Sequence, residues 1–368
     1  MHEPLVSVVM SVFNGARFLR ESIQSILNQS FRSFEFIIVN DGSTDDSAII
    51  LEEFAKVDPR IRLFAQPNLG LVRSLNRGCA LASGRYIARM DADDVALPGR
   101  LEAQTEFLEK YLTVGVVGGQ VEYIDASGKS LRQAAMVVAN ARIMASLERG
   151  HCVIVHPTVL MRRDVFERVG GYRQSVVDAE DYDLWLRISD AHQLANLDQV
   201  VLKYRRHGGQ ISIKRFRQQA ISNLAARLAS GLRRRGLTDP LDLIDIVTEQ
   251  WLTDMGISVA AQRADIARAY LTSAGNLSDS GSDAEALELL VCMHSDTPIP
   301  ELPSNLVCDR HLLLARLMWK SGFRAKGVLE LARAIGAHPA VLARPLKPFI
   351  RPTNLRSGSA KSDRGIGG

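Results

Sequence analysis

The chain has 368 residues, long enough for one large domain and a second unit, and 46% of them are hydrophobic, which allows a sizeable core without disulfides. Its 45 Lys and Arg against 41 Asp and Glu leave a net charge of +4, too small to indicate a nucleic-acid-binding protein. The four cysteines form no Cys-x-x-Cys pair, so neither a zinc site of the usual spacing nor a disulfide framework is predicted.

The sequence contains no predicted secretory signal or membrane-spanning helix. Its first residues, MHEPLVSVVMSVF, lack a basic segment followed by a long apolar stretch, and no uninterrupted apolar run approaches ~20 residues. We therefore expect a cytoplasmic protein.

Up to Met90, apolar strands alternate with amphipathic helices. The predicted strands cover residues 5–13, 34–39, 61–65 and 86–90, and the predicted helices cover residues 16–29, 45–57 and 70–82. This order is typical of an α/β fold with right-handed crossovers, in which ligands bind beyond the carboxyl ends of the strands. Asn14, Asp41 and Asp91 all follow such ends.

The pattern changes after residue 114. A strand at 152–161, a helix at 178–189 and a strand at 194–204 are predicted, and beyond Gly208 helices predominate, at 214–235, 257–274, 284–292, 311–321 and 324–336. We expect a boundary near residues 207–215, which separates a first domain (1–210) from an all-α C-terminal domain (211–344). Residues 345–368 are rich in Pro, Gly, Ser and basic residues, and we expect a disordered tail.

The segment 214–236 carries seven basic residues and no acidic one. Its apolar side chains fall along one face of a predicted helix: Phe216, Ala220, Ile221, Leu224, Leu228 and Leu232. Such a helix can lie on an anionic membrane surface, which would place the protein at the inner face of the membrane. The alternative, favoured because the face lacks tryptophan, is that the apolar residues pack on the first domain and the arginines are solvated.

The acidic run Met90-Asp91-Ala92-Asp93-Asp94 follows a predicted strand directly. Two carboxylates one residue apart can converge on a hard divalent cation, since Mg²⁺ and Mn²⁺ prefer oxygen ligands that they share with a substrate phosphate. The alternative is an acidic loop or a helix cap, because a helix is predicted to begin after Leu97-Pro98.

A second polar run, Asn40-Asp41-Gly42-Ser43-Thr44, follows the next predicted strand. A carboxylate at this position can accept a hydrogen bond from the ring N–H of a pyrimidine base, and the glycine permits close approach of the backbone. The alternative is an ordinary turn in which Ser43 or Thr44 caps the following helix.

The third candidate is the pair Glu180 and Asp181, in the first turn of the predicted helix 178–189. The positive end of the helix dipole favours an ionised carboxylate there, which suits a general base. The alternative is that acidic residues enrich the first turn of helices merely for stability.

Other nucleotide-binding and hydrolase motifs are absent from the sequence. It contains no G-x-G-x-x-G after the first strand, no G-x-x-x-x-G-K-[ST], no G-x-S-x-G and no H-E-x-x-H. A dinucleotide-binding fold, a P-loop enzyme and an α/β-hydrolase are therefore not expected.

Taken together, four segments resemble the family-2 glycosyltransferases of the glycosyltransferase A fold, over about residues 5–207: VSVVMSVFNGARFLRESIQSILNQSF, FIIVNDGSTDDS, RYIARMDADD and VVDAEDYDLWLRI. The resemblance implies a Rossmann-like α/β fold with a mixed, mostly parallel sheet. It also implies a metal-dependent enzyme, using Mn²⁺ or Mg²⁺, that transfers a sugar from a nucleotide diphosphate donor to an acceptor hydroxyl with inversion.

On the donor side, the resemblance assigns Ser11, Phe13 and Asn14 to the nucleotide cleft. It places Asp41 on the base of the nucleotide and Arg73 in the segment that closes over the donor. UDP is the preferred nucleotide because a single aspartate suits uracil, although thymidine presents the same N–H.

For the metal, the resemblance assigns Asp91 to the ribose or sugar and to the cation, and Asp93 to the cation. His207, in Tyr204-Arg205-Arg206-His207, matches a loop in which a histidine reaches the metal or the diphosphate. The alternative for His207 is an ordinary histidine of a surface loop.

On the acceptor side, the resemblance makes Asp181 the catalytic base, with Glu180 beside it. His156-Pro157 matches a recurrent pair for which we expect a structural role. The acceptor is expected to be a glycan or a lipid-linked intermediate in polysaccharide synthesis, and no motif encodes the sugar or the linkage.

Two other functions compete with this hypothesis. A sugar-phosphate nucleotidylyltransferase also combines an α/β sheet, a nucleotide and a metal, but SVFNGARFLR is a poor match to the Gly-rich, basic loop of such enzymes. A degenerate transferase domain acting as a scaffold is disfavoured because the aspartates at 41, 91, 93 and 181 are all intact.

Overall fold

The computed structural model describes residues 3–207, 215–279, 281–297 and 302–339. The strands are β1 (Val6–Val12), β2 (Phe34–Asp41), β3 (Ile61–Gln66), β4 (Tyr86–Met90), β5 (Val95–Ala96), β6 (Val114–Ile124), β7 (Ser130–Ala134), β8 (Leu160–Arg162) and β9 (Gln193–Arg205). The helices are α1 (Ala16–Leu27), α2 (Ser47–Val57), α3 (Leu71–Ala80), α4 (Arg100–Lys110), α5 (Asn140–Glu148), α6 (Arg163–Arg168), α7 (Glu180–Ile188), α8 (Phe216–Arg233), α9 (Glu249–Asp254), α10 (Val259–Asp279), α11 (Asp283–Asp296), α12 (Ser304–Lys320) and α13 (Arg324–Ala337).

Within the described residues, all nine strands form one sheet in the order β3-β2-β1-β4-β8-β6-β9-β5, with β7 paired to β6. The half made of β3, β2, β1 and β4 is parallel throughout. Beyond β4 the sheet is mixed, because β8 runs antiparallel to both β4 and β6, whereas β9 runs parallel to β6. The mixed α/β sheet followed by a helical region agrees with the fold predicted from the sequence.

The apolar runs of the parallel strands are continuous because both faces of the sheet are buried. In β2, Ile37 packs into one core cluster, while Phe36 and Ile38 pack into the other. Successive side chains of a strand point to opposite faces, so a strand covered by helices on both sides needs apolar residues at every position. Helix α1 covers one face through Leu19 and Ile23, and the residues around α3 cover the other.

The strand predicted at 152–161 is wrong for most of its length. Residues 156–158 form a turn of 3₁₀-helix, and only Leu160–Arg162 (β8) pairs with neighbouring strands. Pro157 explains the difference, because proline has no N–H for a ladder hydrogen bond and its ring fixes φ.

The C-terminal helices continue the core of the sheet domain. Ala220, Ile221 and Ala225 of α8 belong to the same buried cluster as Tyr182 and Leu186 of α7. The described residues from 215 onward form helices and no strand, as predicted, and none of the described helices is both long and apolar enough to cross a membrane. The predicted boundary at 210/211 and the predicted tail at 345–368 lie outside the described residues.

The structure does not leave the apolar face of α8 available to a membrane. Its alanines are buried, and Phe216, Leu224 and Leu228 pack against the same core. Four of its basic residues form ion pairs within the protein: Arg217 with Glu249, Arg227 with Asp265, Arg233 with Asp190 and Asp239, and Arg234 with Glu148. The packing alternative predicted for the segment 214–236 therefore fits the described residues. The physical reason is that the stripe of alanines lets the helix approach the domain closely.

Gly84 sets how closely β4 approaches β1, and therefore where the aspartates after β4 lie. A Cβ at Gly84 would come within 2.7 Å of the backbone nitrogen of Ser7 and 2.8 Å of the carbonyl carbon of Val6. Gly84→Ala should lower the free energy of unfolding by about 1–3 kcal/mol, measured by urea denaturation, because backbone atoms must shift to relieve the overlap. Gly99→Ala is the control, since no atom lies within 4 Å of a Cβ there; equal losses in both variants would contradict this account.

Candidate functional site

The strand order β2-β1-β4 places the ends of three parallel strands side by side, as the sequence predicted. Asn14, after β1, adopts a left-handed φ of 53°, and its Oδ1 accepts a hydrogen bond from the backbone N–H of Thr44 (2.8 Å). The Asn14 N–H donates to Ser43 Oγ (3.1 Å), so hydrogen bonds connect the turn after β1 with the turn after β2. Ser11 is partly buried at the end of β1, and Phe13 beside it is 50% exposed.

Asp41 holds the segment that leads into α3. Its Oδ1 accepts hydrogen bonds from the Leu69 N–H (2.9 Å) and from Gln66 Nε2 (2.7 Å), and its Oδ2 accepts one from the Gly70 N–H (2.9 Å). The residue is only 2% exposed. Sequence analysis missed this tether, and the predicted contact of Asp41 with a nucleotide base stays a prediction.

Three carboxylates meet just after β4. One oxygen from each of Asp91, Asp93 and Asp94 lies within 4.8 Å of the others. Burial is the main cause that raises the pKa of Asp91 and of Asp94, and the charges of the neighbouring aspartates raise both further. Oδ1 of Asp94 accepts a hydrogen bond from the Arg205 N–H (2.8 Å), whereas its buried Oδ2 has no hydrogen-bond partner in the part of the chain that the structure describes.

The end of β9 lies against this acidic loop. The buried Arg205 donates from Nε to the carbonyl oxygen of Asp93 (2.8 Å), and its guanidinium lies 4.7 Å from the ring centroid of Phe18. His207 brings Nε2 to 3.0 Å from Oδ2 of Asp93 and packs its ring 4.8 Å from the ring of Phe18. The structure thus brings His207 to the acidic cluster rather than leaving it in a surface loop.

Arg89 is a buried cation that sequence analysis missed. It is 4% exposed and forms an ion pair with Asp91. Its positive charge acts to lower the pKa of Asp91, Glu180 and Asp181, but burial has the larger effect at all three and raises each pKa. The signal was present in the sequence, because Arg89 is the one charged residue in the otherwise apolar β4.

Glu180 and Asp181 begin α7, as predicted. Burial raises the pKa of both, and the charge of Asp181 adds to the rise at Glu180, which reaches about 8. The pKa of Asp181 reaches only about 6, because a hydrogen bond from the Tyr182 N–H to its Oδ1 (2.7 Å) favours the ionised form. Cys152, which no sequence motif singled out, places its Sγ 3.9 Å from Oδ2 of Asp181.

Two further predicted residues lie around this pair. His156 is buried, shares a hydrogen bond with the Tyr172 hydroxyl (2.8 Å) and places Nδ1 4.0 Å from Oε1 of Glu180. Burial lowers the pKa of His156 well below its usual value, so the imidazole is neutral at neutral pH. Arg73 lies farther out and donates from Nε to Oε1 of Gln174 (2.8 Å), which joins α3 to the loop before α7.

Comparison with known proteins assigns the chain to a family. Residues 7–170 match the model of Glycosyl transferase family 2. An uncharacterized glycosyltransferase from Haemophilus influenzae is 36% identical over 218 residues, which cover 57% of this chain and 68% of that protein. The uncharacterized glycosyltransferase MJ1057 from Methanocaldococcus jannaschii is 32% identical over 225 residues, covering 60% and 77%. The chain belongs to glycosyltransferase family 2.

The fold of this glycosyltransferase is also found among solved structures. Mannosyltransferase PcManGT from Pyrobaculum calidifontis, solved in complex with GDP-Man and Mn²⁺, superposes with a TM-score of 0.52 at 18% identity, covering 93% of this chain and 88% of that chain. Both the family and the glycosyltransferase A fold predicted from the sequence are therefore confirmed.

The tether formed by Asp41 in this glycosyltransferase can be tested by hydrogen exchange. Asp41→Asn replaces one acceptor oxygen with an amide that cannot accept, so at least one hydrogen bond to the segment 66–70 is lost. We expect about 1–3 kcal/mol less protection of the Leu69 and Gly70 amides, the usual cost of losing a hydrogen bond to a charged group. Asp46→Asn changes an exposed carboxylate at the start of α2 and serves as the control; unchanged protection in Asp41→Asn would contradict the tether.

Proposed function

We propose that this glycosyltransferase moves a sugar from a nucleotide diphosphate donor, preferably UDP-linked, to a hydroxyl group of a glycan or lipid-linked acceptor, with inversion at the anomeric carbon. The observation that carries the proposal is the position of Arg89. This one buried cation forms an ion pair with Asp91 of the acidic cluster and acts electrostatically on Asp181 at the start of α7. A metal-binding group and a separate carboxylate base, both acted on by one cation, suit a single in-line displacement.

The acidic cluster fits a divalent cation, Mn²⁺ or Mg²⁺. Its donors are carboxylate oxygens, which these cations prefer, and the buried Oδ2 of Asp94 has no partner among the described residues. Asp91 and Asp93 would hold the cation, with His207 beside Asp93. When bound, the cation neutralises negative charge that develops on the diphosphate leaving group. The complex of PcManGT with GDP-Man and Mn²⁺ supports this assignment, because the two chains share a fold.

The carboxylates of Glu180 and Asp181, at the start of α7, differ in pKa. With a pKa of about 6, Asp181 is ionised at neutral pH and can accept the proton of the acceptor hydroxyl. With a pKa of about 8, Glu180 keeps its proton at neutral pH and can donate a hydrogen bond instead. We therefore assign Asp181 as the base and Glu180 as a neutral neighbour that contacts the acceptor.

The donor half of the cleft is formed by the ends of β1 and β2. Asp41, Ser11, Phe13 and Asn14 lie there, and Phe13 offers an exposed ring beside the turn that Asn14 fixes. Arg73 lies in the first turn of α3, just after the segment that Asp41 tethers, and contacts the loop before α7. These contacts support a nucleotide in this half of the cleft and the acceptor on the side of α7.

Asp93→Ala should abolish sugar transfer and the Mn²⁺-dependent part of UDP binding, because the cation loses one of the carboxylates proposed to hold it. Circular dichroism should stay unchanged, since the Asp93 side chain is partly exposed and carries no core contact. Calorimetric titration of UDP with and without Mn²⁺ measures the effect, and the exposed Asp198→Ala is the control. Transfer at the wild-type rate in Asp93→Ala would refute the metal site.

Asp181→Asn should lower kcat by roughly a hundredfold or more with UDP affinity unchanged, the range expected when a general base is lost. In the wild type, kcat should fall about tenfold per pH unit below about pH 6, because protonated Asp181 cannot accept a proton. The residual rate of Asp181→Asn should lack this acidic limb.

Glu180→Gln is the matched control for Asp181→Asn, since the amide imitates a protonated carboxyl group. It should retain most of kcat and the acidic limb. An equal loss of kcat in both variants would contradict the different roles assigned to the two carboxylates. Separately, NMR analysis of the product that shows a retained anomeric configuration would contradict the single displacement.

A further inference from the structure

Two large aromatic side chains are exposed at the turn that joins α12 to α13. Every residue from Trp319 to Lys326 is exposed, so this turn projects from the protein and does not line a groove. The turn is made at Gly322, which adopts a φ of 83°. The side chains of Trp319, before it, and Phe323, after it, are 42% and 56% exposed.

The outer face of α13 continues this apolar surface. Val328 and Leu329 are more than half exposed, and they lie three and four residues after the exposed Ala325, on one face of the helix. The other face packs on α12, because a Cβ at the buried Gly327 would lie 3.1 Å from a backbone oxygen of that helix. We call the exposed apolar residues of this region the hairpin patch: Trp319, Phe323, Ala325, Val328, Leu329 and Ala332.

The charged residues within the hairpin patch are all basic. Between residues 319 and 329 the sequence contains Lys320, Arg324 and Lys326 and no acidic residue. Arg324 and Lys326 form no ion pair with any residue that the structure describes, whereas Lys320 pairs with Asp283 (3.1 Å). The next acidic residue along the chain, Glu330, is partly buried and already paired within the protein. The patch therefore combines apolar surface with unneutralised positive charge.

This charge favours an anionic partner. A second copy of the chain, docked patch to patch, would bring the same basic residues together. The 29 residues that follow Pro339 carry six basic residues and one acidic residue, so their charge does not complement the patch either. An anionic lipid surface attracts basic residues, and its headgroup region accepts exposed tryptophan and phenylalanine side chains. A projecting turn suits such a surface better than it suits a groove on another protein.

We propose that the hairpin patch is a peripheral membrane contact. Trp319, Phe323 and Leu329 enter the headgroup region of an anionic bilayer, and Arg324 and Lys326 bind lipid phosphate groups. The patch is distinct from the segment 214–236, whose apolar side chains pack into the core. The inference does not rest on the proposed function, because a membrane contact at this turn requires neither donor nor acceptor.

Vesicle co-sedimentation of the full chain tests the proposal. The protein is mixed with vesicles of phosphatidylcholine alone, and with vesicles of phosphatidylcholine and phosphatidylglycerol in equal parts, at low and at physiological salt. Two double variants change the patch: Phe323→Ser/Leu329→Ser and Arg324→Gln/Lys326→Gln. Two matched controls make the same kinds of change elsewhere: Val57→Ser/Leu243→Ser and Lys129→Gln/Arg142→Gln. All eight residues are exposed, so their substitution is compatible with folding.

We expect the wild type to pellet with the anionic vesicles only, and to be released as salt rises, because surface charge is screened within about 8 Å at physiological ionic strength. Each patch variant should bind at least tenfold more weakly, and both controls should bind like the wild type. Lipid with brominated acyl chains should quench the fluorescence of the wild type. Trp319→Phe should lose most of this quenching, because Trp185 and Trp251 pack into the core.

Three outcomes would overturn the proposal. The first is that the wild type fails to pellet with anionic vesicles at low salt. The second is an equal loss of binding in the patch variants and their controls, which would reflect net charge or general hydrophobicity and not this surface. The third is self-association of the wild type, without vesicle binding, that Phe323→Ser/Leu329→Ser abolishes, because a second copy would then cover the patch.

Discussion

The chemistry of the site depends on one buried cation, the guanidinium of Arg89. Removing a charge from water is costly unless an opposite charge lies close by, and the ion pair with Asp91 supplies it. Burial raises the pKa of Asp91, Glu180 and Asp181, and without a nearby cation the pKa of each would rise further. Arg89 opposes this effect at Asp91 and at Asp181, so the proposed metal ligand and the proposed base share this source of positive charge.

The acidic loop after β4 also depends on contacts with the end of β9, which comes from much later in the chain. The backbone N–H of Arg205 donates to Asp94, and its side chain donates to the carbonyl oxygen of Asp93, which fixes the loop after β4 from the far side. His207 follows and reaches Asp93 directly. These partners are more than a hundred residues apart in the chain, so the cleft takes its shape only when both halves of the sheet have assembled.

The strands of the parallel half of the sheet could be predicted because the sequence pattern that marks each of them is local. Strands buried on both faces give uninterrupted apolar runs, and polar residues after them mark the ligand-binding edge. The segment 152–161 is equally apolar, but apolar composition does not distinguish a strand from buried irregular backbone. Pro157 was the local sign that this segment does not form a continuous strand. The tether of Asp41 and the effect of Arg89 on Glu180 and Asp181 depend on contacts between distant segments, which no local pattern contains.

Helix α7 lies just beyond the residues that match the family model and joins them to the C-terminal helices. The match covers residues 7–170, which include Asp41, Asp91 and Asp93 but end before Glu180 and Asp181. Helix α7 packs on α8, since Tyr182 and Leu186 share a buried cluster with Ala220, Ile221 and Ala225 of α8. Substitutions in this contact can therefore shift α7, which carries Glu180 and Asp181, while leaving the ends of the parallel strands in place.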